Sequence, residues 1–384
     1  MRILYFADAS SVHTVRWTGF FAAGGHDVHI ASWQPPSRAE SGVTYHDLRA
    51  FAGSAVLGRV PKLRAIEWLP RMRRAARQLS LQVAPELVHG HYVRGYGHLA
   101  LLSGRQPLMV TAWGLDLYGY RSQGPMSRLL TRRTLARADL TTCDSVDLAN
   151  VAVTLGAPLS RVRVIQFGVD TALFRPGRST TDLRRDLDLA PSDPVVLSPR
   201  SIGPGYCTDS VVRAFSEIRA GFPAAKLVLM DYPSEQSDTR SVRELIEELR
   251  LQDSVRFSGQ RPYSDLPEFY CLADAVVSLK ATPDSSPVSV LEAMACGRPV
   301  VASDHPGVRE WIRPGENGYL ADPADPQAIA SQLGAALSLD EGTVTAWGLR
   351  NRRDIERRAD HDRNMAEVER LYDDLVGNDL RASR

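Results

Sequence analysis

The sequence predicts an α/β protein built from two doubly wound, Rossmann-like domains, and three observations predict it. Short apolar runs alternate with helical stretches, stop at the turn-rich string FRPGRSTTD (174–182), and then start again. The 384 residues are more than one hydrophobic core usually serves. The formal net charge of +1 also conceals two unlike halves: residues 1–177 carry 21 Lys+Arg against 11 Asp+Glu, and the remainder 25 against 34. The expected domains are 1–174 and 183–345, with a charged helical stretch from about 349 to 384 packing back on the first. The positive half suits an anionic surface or substrate.

Each element follows from local pattern. RILYFA (2–7) is a buried strand, followed by a helix that Gly24-Gly25 stops. DVHIAS (27–32), LVHGHY (87–92), PLMVTAW (107–113) and DLTTCD (139–144) are the next strands, and VRVIQFGVD (162–170) closes the half. In the second half PVVLSPR (194–200), KLVLMD (226–231), VRFSG (255–259), AVVSLK (275–280) and PVVASD (299–304) are strands. Helices at 208–223, 242–251 and 266–274 separate them. Two such sheets place a cleft between the domains, with ligands expected at the carboxyl ends of the strands.

With 43% apolar and 24% charged residues, the chain reads as globular rather than disordered or fibrous. Cys143, Cys207, Cys271 and Cys296 lie far apart without a CxxC, which suits free thiols in a reducing cytosol. The opening MRILYFADAS is interrupted by Asp8 and reads as a strand rather than a signal peptide. No window has 18 uncharged apolar residues, so no membrane span is expected and the protein is placed in the cytoplasm.

Asp284 and the string SSPVSVLEAMACGRPVVASD (285–304) that follows it carry the chemistry. Ser286 and Pro287 suit an N-cap followed by proline at the first helical position, and Gly297 and Pro299 end the helix. Its free N–H groups and positive dipole end form an anion site. Asp284 stands on the loop before it, and Glu292 lies about one and a half turns into it. Amide donors between two hydroxyl-accepting carboxylates match a nucleotide sugar, with hydroxyls at both ends and a diphosphate between. A capped helix with a solvated Glu fits this segment equally well.

The stretch 284–304 resembles the E-x7-E motif of retaining glycosyltransferases of the GT-B fold, in particular the large family 4. Further stretches agree in order: GGHDV (24–28), LVHGHY, TAWGLD (111–116), FGVDTALFRP (167–176), SPRSIGPGY (198–206), SGQRPYSDLPEFYCLAD (258–274) and ENGYLADPAD (316–325). The resemblance covers nearly the whole chain. It implies two domains facing across a cleft, a nucleoside-diphosphate sugar as donor and a hydroxyl acceptor. It also implies same-face substitution without an enzyme nucleophile. Glu292 would hold the donor ribose and Asp284 the transferred sugar. The backbone amides of Ser286, Val288, Ser289 and Val290 would cradle sugar and phosphate. Arg200 would neutralise the diphosphate, since its fork matches phosphate oxygens, and Arg261 would stack on the base. His13, His91 and Asp116 are the candidates for acceptor contact or proton handling, with Ser11, Trp113, Phe167 and Tyr206 on the walls. His89 reads as a structural histidine.

The chain departs from the family pattern in several places. Asp284 replaces Glu, Trp113 replaces His and Phe167 replaces Asn. Gly205 and Tyr206 stand where the family has a phosphate-binding lysine, and DASSVHTVRW (8–17) replaces the glycine-rich loop. Asp186 and Asp188 match a metal-binding DxD in spacing but read as solvated charge, so neither a metal nor a cofactor is expected. Residues 58–79 carry seven Lys+Arg against one Glu, which suits peripheral contact with an anionic membrane or a solvated basic helix. No recognition module accompanies the charge, so nucleic acid is not an expected partner. The alternatives are another GT-B activity, such as a sugar-nucleotide epimerase, and a catalytically silent glycosyltransferase-like binding subunit. A phosphorylase is disfavoured because Lys62, Lys226 and Lys280 lie in no pyridoxal-phosphate context. A nicotinamide dehydrogenase is disfavoured because GxGxxG follows neither first strand.

Overall fold

A computed structural model describes all residues except 37–39, 53–60, 231–235, 284, 286 and 383–384. Asp284, Ser286 and the beginning of the basic stretch 58–79 therefore lie outside the described residues, as do the side chains of 61–68. The chain forms two compact units: Met1–Gln166 with Asp362–Arg384, and Phe167–His361.

In the first unit the described residues form a seven-stranded parallel sheet. Its strands are β1 (Arg2–Phe6), β2 (Asp27–Ser32), β3 (Val43–Asp47), β4 (Leu87–His91), β5 (Leu108–Ala112), β6 (Leu140–Cys143) and β7 (Val162–Val164), in the order β3-β2-β1-β4-β5-β6-β7. The second unit has a six-stranded parallel sheet of β8 (Val195–Ser198), β9 (Lys226–Leu229), β10 (Val255–Phe257), β11 (Ala275–Ser278), β12 (Val300–Ser303) and β13 (Tyr319–Ala321), in the order β10-β9-β8-β11-β12-β13. Both sheets are covered by helices on two faces, which is why β4, β5, β8, β11 and β12 are buried along their whole length. Strand order reverses between β1 and β4 and between β8 and β11. The connections leave these pairs in opposite directions, which opens a crevice at their carboxyl ends.

Two strands escape the sequence pattern. In β3 (VTYHD) the residues are half-buried or exposed at a sheet edge, so no apolar run marks it. The other, β13, is only three residues long, and it too closes a sheet edge. The C-terminal stretch also differs from expectation. It is two helices, Glu341–Arg358 and His361–Ala382, separated at Ala359 and Asp360. The first belongs to the second unit, and the chain returns to the first unit only at Asp362. There Met365, Val368 and Tyr372 are buried.

Glycine lets the helix Glu341–Arg358 approach the second unit closely. A Cβ on Gly348 would stand 2.7 Å from the Gly297 carbonyl oxygen. Gly297 itself has φ +72°, the left-handed conformation that ends the helix Val288–Ala295. Its N–H donates to the Met294 carbonyl at 3.0 Å, and the Arg298 N–H donates to the Ala293 carbonyl at 3.0 Å. Gly348→Ala is expected to destabilise the protein by about 1–3 kcal/mol through overpacking against backbone. Thermal or denaturant unfolding measures it, and an unchanged midpoint would show that the two backbones separate at no cost.

Candidate functional site

In the second unit the crevice between β8 and β11 is lined by the turns that follow those strands. Arg200 stands two residues past β8, and its guanidinium lies 5.0 Å from the centre of the Tyr206 ring. Tyr206 belongs to a single 3-10 turn, Pro204–Tyr206, in the position of the expected lysine. The Gly205 carbonyl accepts from the Ala281 N–H at 3.0 Å, so the turn after β8 is tied to the turn after β11. Beside it the Ser303 hydroxyl accepts from the Lys280 N–H at 2.8 Å and donates to the Lys280 carbonyl at 3.2 Å.

The helix Val288–Ala295 leaves this turn. Pro287 occupies its cap position rather than the first helical position, and no side chain caps it. Val288 is half-buried at the helix start. Ser289 is buried, with its hydroxyl 2.7 Å from that of Ser278 on β11. The Val290 N–H donates to the Pro287 carbonyl at 2.8 Å and so belongs to the helix. Glu292 is 5% exposed. Its two carboxylate oxygens accept from the hydroxyls of Tyr263, at 3.1 Å, and Tyr270, at 2.7 Å. Burial and the neighbouring carboxylate push the Tyr270 hydroxyl well above its usual pKa, so it remains a donor. Neither tyrosine is among the residues expected from the sequence. Tyr270 lies within SGQRPYSDLPEFYCLAD, but only its contact with Glu292 shows what it does. Arg261 donates from Nε to the Ser258 carbonyl at 2.9 Å, and its guanidinium lies 5.8 Å from the Phe269 ring. Phe167 is buried at the beginning of this unit against the ring of His361, at 5.8 Å.

In the first unit β1, β4 and β5 end side by side. His91, the last residue of β4, is 2% exposed in a cage of Tyr5, Trp17, His89 and Trp113, with ring centres 4.5–5.4 Å away. Neither of its ring nitrogens has a hydrogen-bond partner among the described residues. Burial alone pushes its pKa down to about 3, so the ring is neutral. His13, in the first turn of the helix Val12–Ala23, meets Trp113 edge-on at 5.4 Å. The structure thus brings His13, Trp113 and His91 into one row, with Ser11 at the N-cap position of the same helix.

Asp116 is fully buried and plays a different part from the one expected. Oδ2 accepts the Val93 N–H at 2.7 Å and Oδ1 the Trp113 N–H at 3.1 Å. The carboxylate therefore pins the loop after β4 to the loop after β5 and fixes the base of Trp113. It positions the row rather than joining it. Desolvation outweighs these amide bonds and pushes its pKa up to about 6. His89 is held on both sides. Its Nδ1 lies 2.6 Å from the Tyr372 hydroxyl and its Nε2 2.7 Å from the Thr111 hydroxyl. The Tyr372 hydroxyl also lies 3.1 Å from that of Tyr5 and accepts from Trp17 Nε1 at 3.2 Å. Among the described residues no group of three or more His, Cys, Asp or Glu is placed to hold a metal ion, and no helix is long and apolar enough to cross a membrane.

Two doubly wound parallel-sheet units are the fold of the GT-B class. HepE from Anabaena, solved with UDP and glucose, shares the fold at a TM-score of 0.78. The match covers 97% of this chain and 99% of that one at 18% identity. The family "Glycosyl transferases group 1" matches residues 179–354, and "Glycosyl transferase 4-like" matches residues 2–145. Each half of the chain thus matches a glycosyltransferase model, and the two together resemble group 1, family 4-like glycosyltransferases. Its curated relatives include the D-inositol 3-phosphate glycosyltransferases of Acidothermus cellulolyticus and Nocardia farcinica, at 36% identity over 188 residues and 31% over 293. These matches cover 47% and 73% of this chain but 42% and 64% of the relatives, less than two thirds of their length.

Two variants follow from the hydrogen bonds and burial at these sites. Tyr270→Phe leaves a lone pair of the buried Glu292 carboxylate without its donor and is expected to cost about 1–3 kcal/mol in denaturant unfolding. Full stability in that variant would show that the tyrosine does not hold the acid. The second variant concerns pH. A histidine whose folded pKa is depressed to about 3 contributes stability that is present above its unfolded pKa, near 6.5, and is lost as pH falls from there towards 3. His91→Phe removes that dependence. The fall in stability from pH 7 to pH 5 should shrink by about 2 kcal/mol relative to the parent protein. Parallel pH profiles for the two proteins would mean that His91 protonates freely in the fold.

Proposed function

We propose that this chain is a retaining, metal-independent glycosyltransferase of hexosyltransferase type, moving a sugar from a nucleoside-diphosphate sugar to an acceptor hydroxyl. The observation that carries the proposal is Glu292: a buried carboxylate, held by two tyrosine hydroxyls, on the helix that follows the central strand β11. A carboxylate oxygen has room for more than one hydrogen bond, so Glu292 can grip vicinal ribose hydroxyls while Tyr263 and Tyr270 fix its position. Arg200 lies beyond β8, where the donor diphosphate would sit, and Lys280 brings a second cation to the same edge of the sheet. Asp284 is assigned to the hydroxyls of the transferred sugar, and the backbone at Ser286, Val288 and Ser289 to its phosphate side.

In the proposed reaction the bond from the anomeric carbon to the diphosphate oxygen breaks, and the acceptor oxygen bonds to that carbon on the same face. The acceptor proton passes to the leaving phosphate oxygen. The protein's part is to hold the donor, to stabilise charge on the diphosphate and to exclude water. His13, Trp113 and His91 form the wall assigned to the acceptor, with Asp116 fixing it from behind. Residues 1–166 are thus the acceptor-side unit and 167–361 the donor-side unit. The basic stretch 58–79 is assigned to peripheral contact with an anionic membrane surface.

Release of nucleoside diphosphate by the purified chain, across a panel of nucleotide sugars, tests the reading. Glu292→Ala should raise the donor KM by more than about a hundredfold, as expected when a charged hydrogen-bonding partner of the ribose is lost. Asp284→Glu should alter which donor sugar is preferred. Donor affinity unchanged in Glu292→Ala would overturn the ribose assignment, and the absence of turnover with every donor would leave a silent binding subunit.

A further inference from the structure

On the first unit, three helices enclose a groove of about 780 Å³. They are Pro61–Val83, His98–Ser103 and Pro125–Arg137. Arg73, Arg74, Arg77, Arg133 and Arg137 line it, and among the described residues no carboxylate does. All five are exposed, and none enters an ion pair or hydrogen bond among the described residues. Like charges gathered in this way repel one another, so the groove gains wherever an anion enters it. Its remaining wall is apolar, formed by Leu69, Leu101, Leu102 and Leu130. The same helices carry large apolar side chains out into solvent: Leu81 is 71% exposed, Met126 43% and Leu129 46%.

The groove lies away from the site already described. Arg137 ends the helix that leads into β6, and Gly104 follows the helix that leads into β5. It therefore opens towards the amino ends of those strands, whereas His91, Trp113 and Asp116 stand at the carboxyl ends. A second donor or acceptor subsite has no place there. Five guanidiniums without ion pairs among the described residues, beside an apolar wall on helices that also expose leucines and a methionine, match a phosphodiester headgroup with its acyl chains better than a small free anion. We infer that this groove seats the phosphates of anionic phospholipids and docks the first unit on a bilayer. The inference rests on the membrane contact assigned to residues 58–79, and it adds Arg133 and Arg137, which lie outside that stretch and make the site a pocket between helices rather than one basic helix.

Flotation of the full chain with vesicles tests it, using phosphatidylcholine alone and an equimolar mixture of phosphatidylcholine and phosphatidylglycerol. The parent protein should float with the mixed vesicles only. Each arginine near an anionic surface is worth roughly fivefold in partitioning. The double variant Arg133→Gln, Arg137→Gln should therefore bind about twenty-five-fold more weakly, with its melting temperature and nucleoside-diphosphate release unchanged. Arg73→Gln, Arg77→Gln provides a second, independent pair should the first fail to fold. Parent protein that floats, with both pairs floating equally well, overturns the groove and leaves the contact of residues 58–79 standing. Parent protein that never floats overturns both. A melting temperature raised by glycerol phosphate and lowered again by the variants, with no flotation, makes the groove a free-anion site and overturns the bilayer assignment.

Discussion

A carboxylate that is 5% exposed needs donors in place of the water it has left, and at Glu292 Tyr263 and Tyr270 are two of them. Much of the second unit is arranged around that requirement. Tyr270 is itself fully buried on the helix Leu266–Leu272, against Phe174 and the apolar face of β8 and β11. The helix that carries Glu292 is stopped by Gly297, and Gly348 opposite it has no room for a side chain. The acid's position is thus fixed at one end by tyrosine hydroxyls and at the other by backbone packed on backbone. A binding group held in this way loses little freedom when a ligand arrives, which is the physical content of preorganisation.

The first unit meets the same requirement with neutral groups. Tyr372 returns from the C-terminal helix to meet Tyr5, Trp17 and His89, and Thr111 continues the chain of hydrogen bonds to Thr142 at 2.7 Å. Burial drives His89 and His91 towards their uncharged forms. A neutral wall of imidazole and indole beside a buried, clamped Asp116 suits the binding and orienting of a hydroxyl compound.

The sequence made the sheets legible because their strands are apolar runs bounded by turns. The strands β2, β4, β8 and β11 fall within a residue or two of the expected limits. It failed at the sheet edges. There β3 needs no continuous apolar run, and β13 is too short to show one. For the candidate site, chemical type and order along the chain are visible in a string, and Glu292 and Arg200 are named from them. Geometry was not visible. Asp116 read as a group facing the acceptor, and only the fold shows both of its oxygens occupied by the amides of Val93 and Trp113. Tyr372 sat in a charged helical stretch expected to pack back on the first domain, but its role depends on a contact more than 360 residues distant along the chain.

The departure at Gly205 and Tyr206 also takes a physical meaning from the structure. The family's lysine would bring a mobile point charge to the diphosphate. Here the position carries an aromatic ring whose centre is 5.0 Å from the Arg200 guanidinium. A ring in that place adds no charge, but it attracts and orients the one already there. The Gly205 carbonyl then holds Ala281, the residue after Lys280, and Ser303 holds Lys280 itself through its backbone. The turns after β8 and β11 are therefore one hydrogen-bonded assembly with a cation on each.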